Sequence, residues 1–171
     1  MINIGSSKIA EMYVGSTKIV STYLGSTKVY ELSSPAPTGY DSYVIHLTWS
    51  SNDNLNLAGL HIDGVQPSTS DVTIQYNNSG SWITVGEIDI ERAIQWDNNE
   101  QGYTFYGVGV NITFTNANVP STVQVKTGKW YGGGSMTVTM HVAGVKDGVE
   151  TDLGYTSQTN AANLIYTVNI W

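Results

Sequence analysis

Asp89 and Glu91 stand two residues apart, so on a strand both carboxylates would share one face, as a pair must to cleave a glycosidic bond. The same residues fit a solvated face or the first turn of a helix, and nothing beside them would keep one carboxyl protonated. Asn52-Asp-Asn-Leu-Asn56, Asp97-Asn-Asn-Glu100 and Asp147-Gly-Val-Glu-Thr-Asp152 carry the oxygen ligands that calcium takes. None has the fixed glycine and terminal glutamate of a calcium loop, so turn chemistry explains them better. His46, His61 and His141 are far apart in the chain; His61-Ile-Asp63 offers two ligands on one strand face and indicates no third. His46 and His141 fall on the polar phases of their segments, which suits surface imidazoles. There is no cysteine, no Gly-x-Ser-x-Gly elbow, and Gly132-Gly-Gly134 lacks the lysine of a phosphate loop. The expectation is a protein with no catalytic residue, no metal and no cofactor.

One loop has the chemistry of a contact surface. Lys126-Thr-Gly-Lys-Trp-Tyr-Gly-Gly-Gly-Ser135 gathers Lys126 and Lys129 around Trp130 and Tyr131, at the tip of a hairpin between two strand-like segments. An aromatic pair so placed would stack on a sugar ring or anchor a partner. Folding back to cover the end of the domain is an equal alternative, since Trp and Tyr are mostly buried.

The elements that would carry such residues are strands. The 171-residue chain is 40% hydrophobic and 11% aromatic, but only 12% charged, with 18 glycines. That composition excludes a disordered tail and a coiled coil. No apolar run is long enough to span a membrane, and Met1 to Ala10 lacks the basic start of a secretory signal. The net charge is −7 and unevenly spread. Lys8, Lys18 and Lys28 sit in the first 37 residues with Glu11 and Glu31, whereas Arg92, Lys126, Lys129 and Lys146 face the other twelve acids. An acidic body with no basic stripe repels a phosphate backbone, so neither nucleic acid nor membrane is expected as a partner.

The strongest internal signal is a repeat. Ile4-Gly-Ser-Ser-Lys-Ile9, Val14-Gly-Ser-Thr-Lys-Ile19 and Leu24-Gly-Ser-Thr-Lys-Val29 recur every ten residues, with Tyr13 and Tyr23 closing the first two units. The Gly-Ser pair is turn chemistry, and the β-branched and aromatic flanks favour extended backbone. Such short units cannot enclose a core and must bury their apolar side chains on neighbours. Ile4, Ile9, Tyr13, Val14, Ile19, Tyr23, Leu24 and Val29 are therefore expected to serve attachment or oligomerisation, with a homotrimer as the favoured assembly. A meander packed on its own domain is the plainer alternative.

Tandem units of the form Tyr-[Leu/Val]-Gly-Ser-Thr-Lys-[Ile/Val] resemble those in virion proteins of tailed bacteriophages and prophages, over residues 1–31. The resemblance implies a head fibre, decoration protein or tail-fibre component. It would be made in the bacterial host cytoplasm, attach to other virion proteins through residues 1–32, and display a C-terminal domain. A carbohydrate-binding module carried on a spacer, with a host glycan as ligand, is the alternative.

Ser33-Ser-Pro-Ala-Pro-Thr-Gly39 reads as a semi-rigid linker over 33–39, and residues 40–171 as one domain. Tyr43 to Trp49, Val72 to Tyr76, Met136 to Val142 and Leu164 to Ile170 alternate with period two. Tyr106 to Phe114 reads as one long strand, and Asn77-Asn-Ser-Gly80 as a turn. Asp89 to Trp96 fits a short helix. The predicted fold is all-β: a short β-repeat stem followed by an antiparallel, jelly-roll-like β-sandwich.

Overall fold

The computed structural model describes residues 39–50, 54–96, 102–128, 136–159 and 164–170 in full, together with the backbone of six short strands in the first 31 residues. The chain divides into two compact units, Met1–Pro37 and Thr38–Ile170.

In the first unit each repeat is one antiparallel hairpin. β1 (Asn3–Ile4) pairs with β2 (Ser7–Lys8), β3 (Tyr13–Val14) with β4 (Thr17–Lys18), and β5 (Ser21–Leu24) with β6 (Thr27–Glu31). The register repeats with the sequence: Ile4 faces Ser7, Val14 faces Thr17 and Leu24 faces Thr27, which leaves a Gly-Ser pair between the paired residues each time. Ile4, Tyr13, Val14, Tyr23, Leu24 and Val29 lie on these strands, whereas Ile9 and Ile19 lie outside the described residues. Two-stranded hairpins are marginal alone in water.

The second unit is an antiparallel β-sandwich with its own core. Its strands are β7 (Ser42–Trp49), β8 (Leu55–Ile62), β9 (Val72–Asn78), β10 (Ser81–Thr84), β11 (Tyr103–Phe105), β12 (Gly109–Phe114), β13 (Thr122–Thr127), β14 (Thr137–Lys146), β15 (Val149–Thr159) and β16 (Ile165–Asn169). One sheet runs β10-β9-β12-β7-β14-β15 and the other β11-β8-β13-β16. The nested ladders β7 with β14, β8 with β13 and β9 with β12 follow the folded-ribbon plan of a jelly roll. Ile45, Leu47, Val110, Ile112, Val138 and Met140 of the larger sheet meet Leu57, Leu60, Val123, Val125, Tyr166 and Val168 of the smaller in one buried core. Tyr43 stacks on Phe114 with ring centroids 5.2 Å apart. Each such aliphatic side chain contributes about 1.5–3 kcal/mol by leaving water.

Local chemistry sets the turns. Ser79-Gly80 (φ 54° and 92°) joins β9 to β10, and Asp147-Gly148 (51° and 75°) joins β14 to β15. Asp63-Gly64 (51° and 79°) turns the chain back after β8, with Ile62 facing Val65. Left-handed backbone at both central residues matches the twist of the flanking strands.

One sequence expectation needs correction, and two others are narrowed. The strand expected from Tyr106 to Phe114 begins only at Gly109, and Tyr106 and Val108 are exposed. Gly107 breaks it: its φ is 131°, and a Cβ there would stand 1.9 Å from the Asn77 carbonyl oxygen. The oxygen-rich stretch at 147–152 is a tight turn plus the start of β15, the longest strand, and Asn56 lies within β8. Asp89 and Glu91 sit on helix α1 (Glu87–Ile94), where a two-residue spacing turns them to different sides. That helix buries Ile90, Ala93 and Ile94, as its apolar spacing predicts.

Candidate functional site

The outward side chains of the six-stranded sheet form the most distinctive polar surface among the described residues. Strand register places Thr84, Gln75, Asn111, His46, His141 and Tyr155 in one row across it, from β10 to β15. His46 and His141 stand opposite each other with ring centroids 6.1 Å apart and planes inclined by 24°. The His46 ring lies between Asn111 Oδ1 (2.8 Å from Nδ1) and Glu150 Oε2 (3.0 Å from Nε2). His141 Nε2 lies 2.9 Å from Asp152 Oδ1, which also accepts the Gly154 amide at 2.8 Å.

The Glu150 contact reports a bend. Glu150 pairs with Val145, and Val145 with Ser42, so in a flat sheet it would lie two strands and four register positions from His46. That separation is about 16 Å between Cα atoms, beyond the reach of the two side chains. A β-bulge between Val142 and Ala143, opposite Gly154 (φ 141°), bends the hairpin over the outer face. The bend explains why Val44 and Ala143, though on the outward phase, are buried. The face is therefore concave at its β14–β15 end.

The neighbouring row holds Trp82, Asn77, Gly109, Thr48, Thr139 and Ser157. A Cβ on Gly109 would meet Trp82 Cη2 at 3.9 Å, although the two residues are separated by β9. The indole thus extends inward along the sheet, over the glycine, and remains 48% exposed. Tyr155, on the opposite edge strand, is 72% exposed. Thr139 and Ser157 hydroxyls are 3.0 Å apart, and Gln75 Nε2 donates to Thr84 Oγ1 at 3.2 Å.

Of the residues singled out from sequence, Lys126 lies on β13 with Nζ 6.0 Å from the centre of the Trp96 ring. Lys129, Trp130 and Tyr131 lie outside the described residues. Trp96 also stacks on His61, with centroids 3.9 Å apart, and its ring lies over Gly59, where a Cβ would meet it at 2.6 Å. Burial holds the His61 imidazole below its usual pKa.

His61 and Asp63 do not act together. Asp63 is in the turn, where its Oδ1 accepts the Ser121 amide (2.8 Å), the Ser121 hydroxyl (2.7 Å) and the Thr122 amide (3.0 Å). Burial would raise its carboxyl, but these three donors outweigh it and hold the pKa below the ordinary carboxylate value. A groove of about 280 Å³ beside it is lined by Asp63, Asp71, Gln66 and Thr115. Among the described residues no three His, Asp or Glu side chains are arranged to hold a metal ion.

Sequence reasoning placed His46 and His141 correctly on the polar phase but missed their pairing, and it missed Trp82 and Tyr155. The Ser79-Gly80 turn carried part of the signal. A two-residue loop there fixes Trp82 opposite Asn77 and so assigns the indole to the outer face. The chain matches no protein-family model, no curated protein and no solved structure.

Proposed function

We propose that this chain is a non-enzymatic structural protein of a tailed-phage virion, a decoration, head-fibre or tail-fibre component. Its repeats attach or assemble it, and its β-sandwich is displayed for surface contact. The supporting observation is the division of labour within the chain: one hairpin per ten-residue repeat in the first unit, and a self-contained core in the second. Hairpins with so few apolar residues gain stability by burying them against other copies or other proteins. A three-fold assembly of the repeats also covers strand edges that would otherwise stay open. The sandwich, with its own core, does not depend on that assembly.

Deleting residues 1–32 is the test. The expected product is a monomer by light scattering whose far-ultraviolet circular dichroism and unfolding midpoint match those of the full chain, while the full chain assembles. A full chain that is monomeric at micromolar concentration and does not bind virion particles overturns the proposal. Loss of folding on deletion would assign the repeats to the core of the sandwich instead. The second reading, a carbohydrate-binding module on a spacer, is favoured by the exposed Trp82 and Tyr155 on a polar sheet face.

A further inference from the structure

We infer that the outer face of the six-stranded sheet is a binding site for a neutral oligosaccharide, with Trp82 and Tyr155 as stacking platforms at its two flanks. The inference rests on the reading of the sandwich as a domain displayed for surface contact, and names the surface and the chemistry it meets. The face spans about 24 Å across six strands, room for several sugar rings laid across the strands.

Three features of the face select this class of ligand. The first is the aromatic placement. An indole left half open, with its Cη2 end reaching along the sheet to Gly109, keeps apolar ring surface available to a ligand. A pyranose offers a matching apolar face of C–H groups, and aromatic rings with a wet side suit such amphipathic partners. A Cβ at position 109 would touch the indole at 3.9 Å, an ordinary van der Waals contact, so the ring end lies close over the strand.

The second is the ground between the platforms. Thr48, Thr139, Asn111 and His141 have side chains that both donate and accept, or do either by tautomer, as alternating sugar hydroxyls require. They are short and held on paired strands, so little rotamer freedom is lost on binding. Glu150 and Asp152, oriented by the two histidines, add charged acceptors at the concave end, where a carboxylate makes the stronger hydrogen bond to a hydroxyl.

The third is what the face lacks. A protein partner is recognised by an apolar centre with a polar rim; here the centre is polar and the aromatics are at the flanks. A phosphate-bearing partner needs cations, whereas the charged side chains that meet the histidines on this face are the carboxylates of Glu150 and Asp152.

The experiment uses the full chain and an immobilised panel of neutral oligosaccharides: glucan, mannan, xylan, galactan and lactosamine chains. The expected result is binding to at least one series, weakened tenfold or more in Trp82→Ala and in Tyr155→Ala. Ile88→Ala, an exposed position on helix α1, which packs chiefly against β8 and β11 of the other sheet, should bind as the parent does. Trp82→Phe should restore part of the affinity, because it keeps an aromatic face. Folded protein that binds no member of the panel overturns the inference. So does binding that survives both alanine substitutions, which would place the glycan elsewhere. A chain that fails to assemble through its repeats yet loses glycan binding in Trp82→Ala would overturn the virion reading and leave this site standing. A chain that assembles but binds no glycan does the reverse.

Discussion

Replacing Asp63 tests whether one carboxylate holds the β8 turn onto the start of β13. Its Oδ1 accepts three hydrogen bonds at 2.7–3.0 Å, from two backbone amides and one hydroxyl of Ser121 and Thr122. Hydrogen bonds to a charged group are worth about 1.5–3 kcal/mol each, but these share one oxygen on a surface turn, so about 2 kcal/mol for the set is the discounted figure. Alanine at φ 51° adds about 1 kcal/mol of left-handed strain. Asp63→Ala should therefore cost about 3 kcal/mol, or about 12 °C in Tm for a domain of this size. Asp63→Asn tolerates the turn and keeps an acceptor, so it should cost only about 1 kcal/mol.

The pH dependence supplies the decisive reading. The folded carboxyl titrates below its ordinary value of 3.8, so between the two values the unfolded chain binds more protons than the folded one. The contribution of Asp63 is thus complete above the unfolded value and is lost as pH falls through the folded one. In urea unfolding followed by tryptophan fluorescence, the stability gap between parent and Asp63→Asn should shrink as pH is lowered from about 5 to about 2.5. A gap that is the same at both ends, or an Asp63→Ala variant as stable as the parent, refutes the clasp.

Two further outcomes follow from buried groups. The Tyr166 hydroxyl is fully buried with no hydrogen-bond partner among the described residues, and burial pushes its pKa up to about 12. Tyr166→Phe removes that unsatisfied group and should stabilise the domain by about 1 kcal/mol in urea unfolding; a clear loss of stability would mean the hydroxyl is bonded. Trp96→Ala uncovers His61, so its pKa should rise toward 6.5 in an NMR titration of the ring protons, and an unmoved value would show that Trp96 does not desolvate it. With the folded value depressed, the unfolded chain binds more protons just below 6.5, so the parent loses stability on acidification through that range and the variant loses less.

The alternation of Tyr43, Ile45, Leu47 and Trp49, the apolar spacing of α1 and the Ser-Gly turn at 79–80 were legible because each obeys a rule local to a few residues. β8 was harder to read: a bulge adds Ala58 against β13, so inward phase passes from Leu57 to Leu60 and breaks the period of two. β15 carries polar or exposed residues on both phases because it is an edge strand, and its pattern therefore looked like loop.

The ten-residue period, the acidic body, the absence of cysteine and the all-β class belong to the sequence by itself, since composition and short-range periodicity determine them. The polar sheet face belongs to the tertiary structure. His46 and His141 are 95 positions apart in the chain and meet only because β7 and β14 pair in one particular register. Glu150 reaches His46 only because a bulge bends β15 over the sheet. Cross-strand register and curvature are set by how the two sheets bury their inner faces together, a non-local condition that no window of the sequence contains.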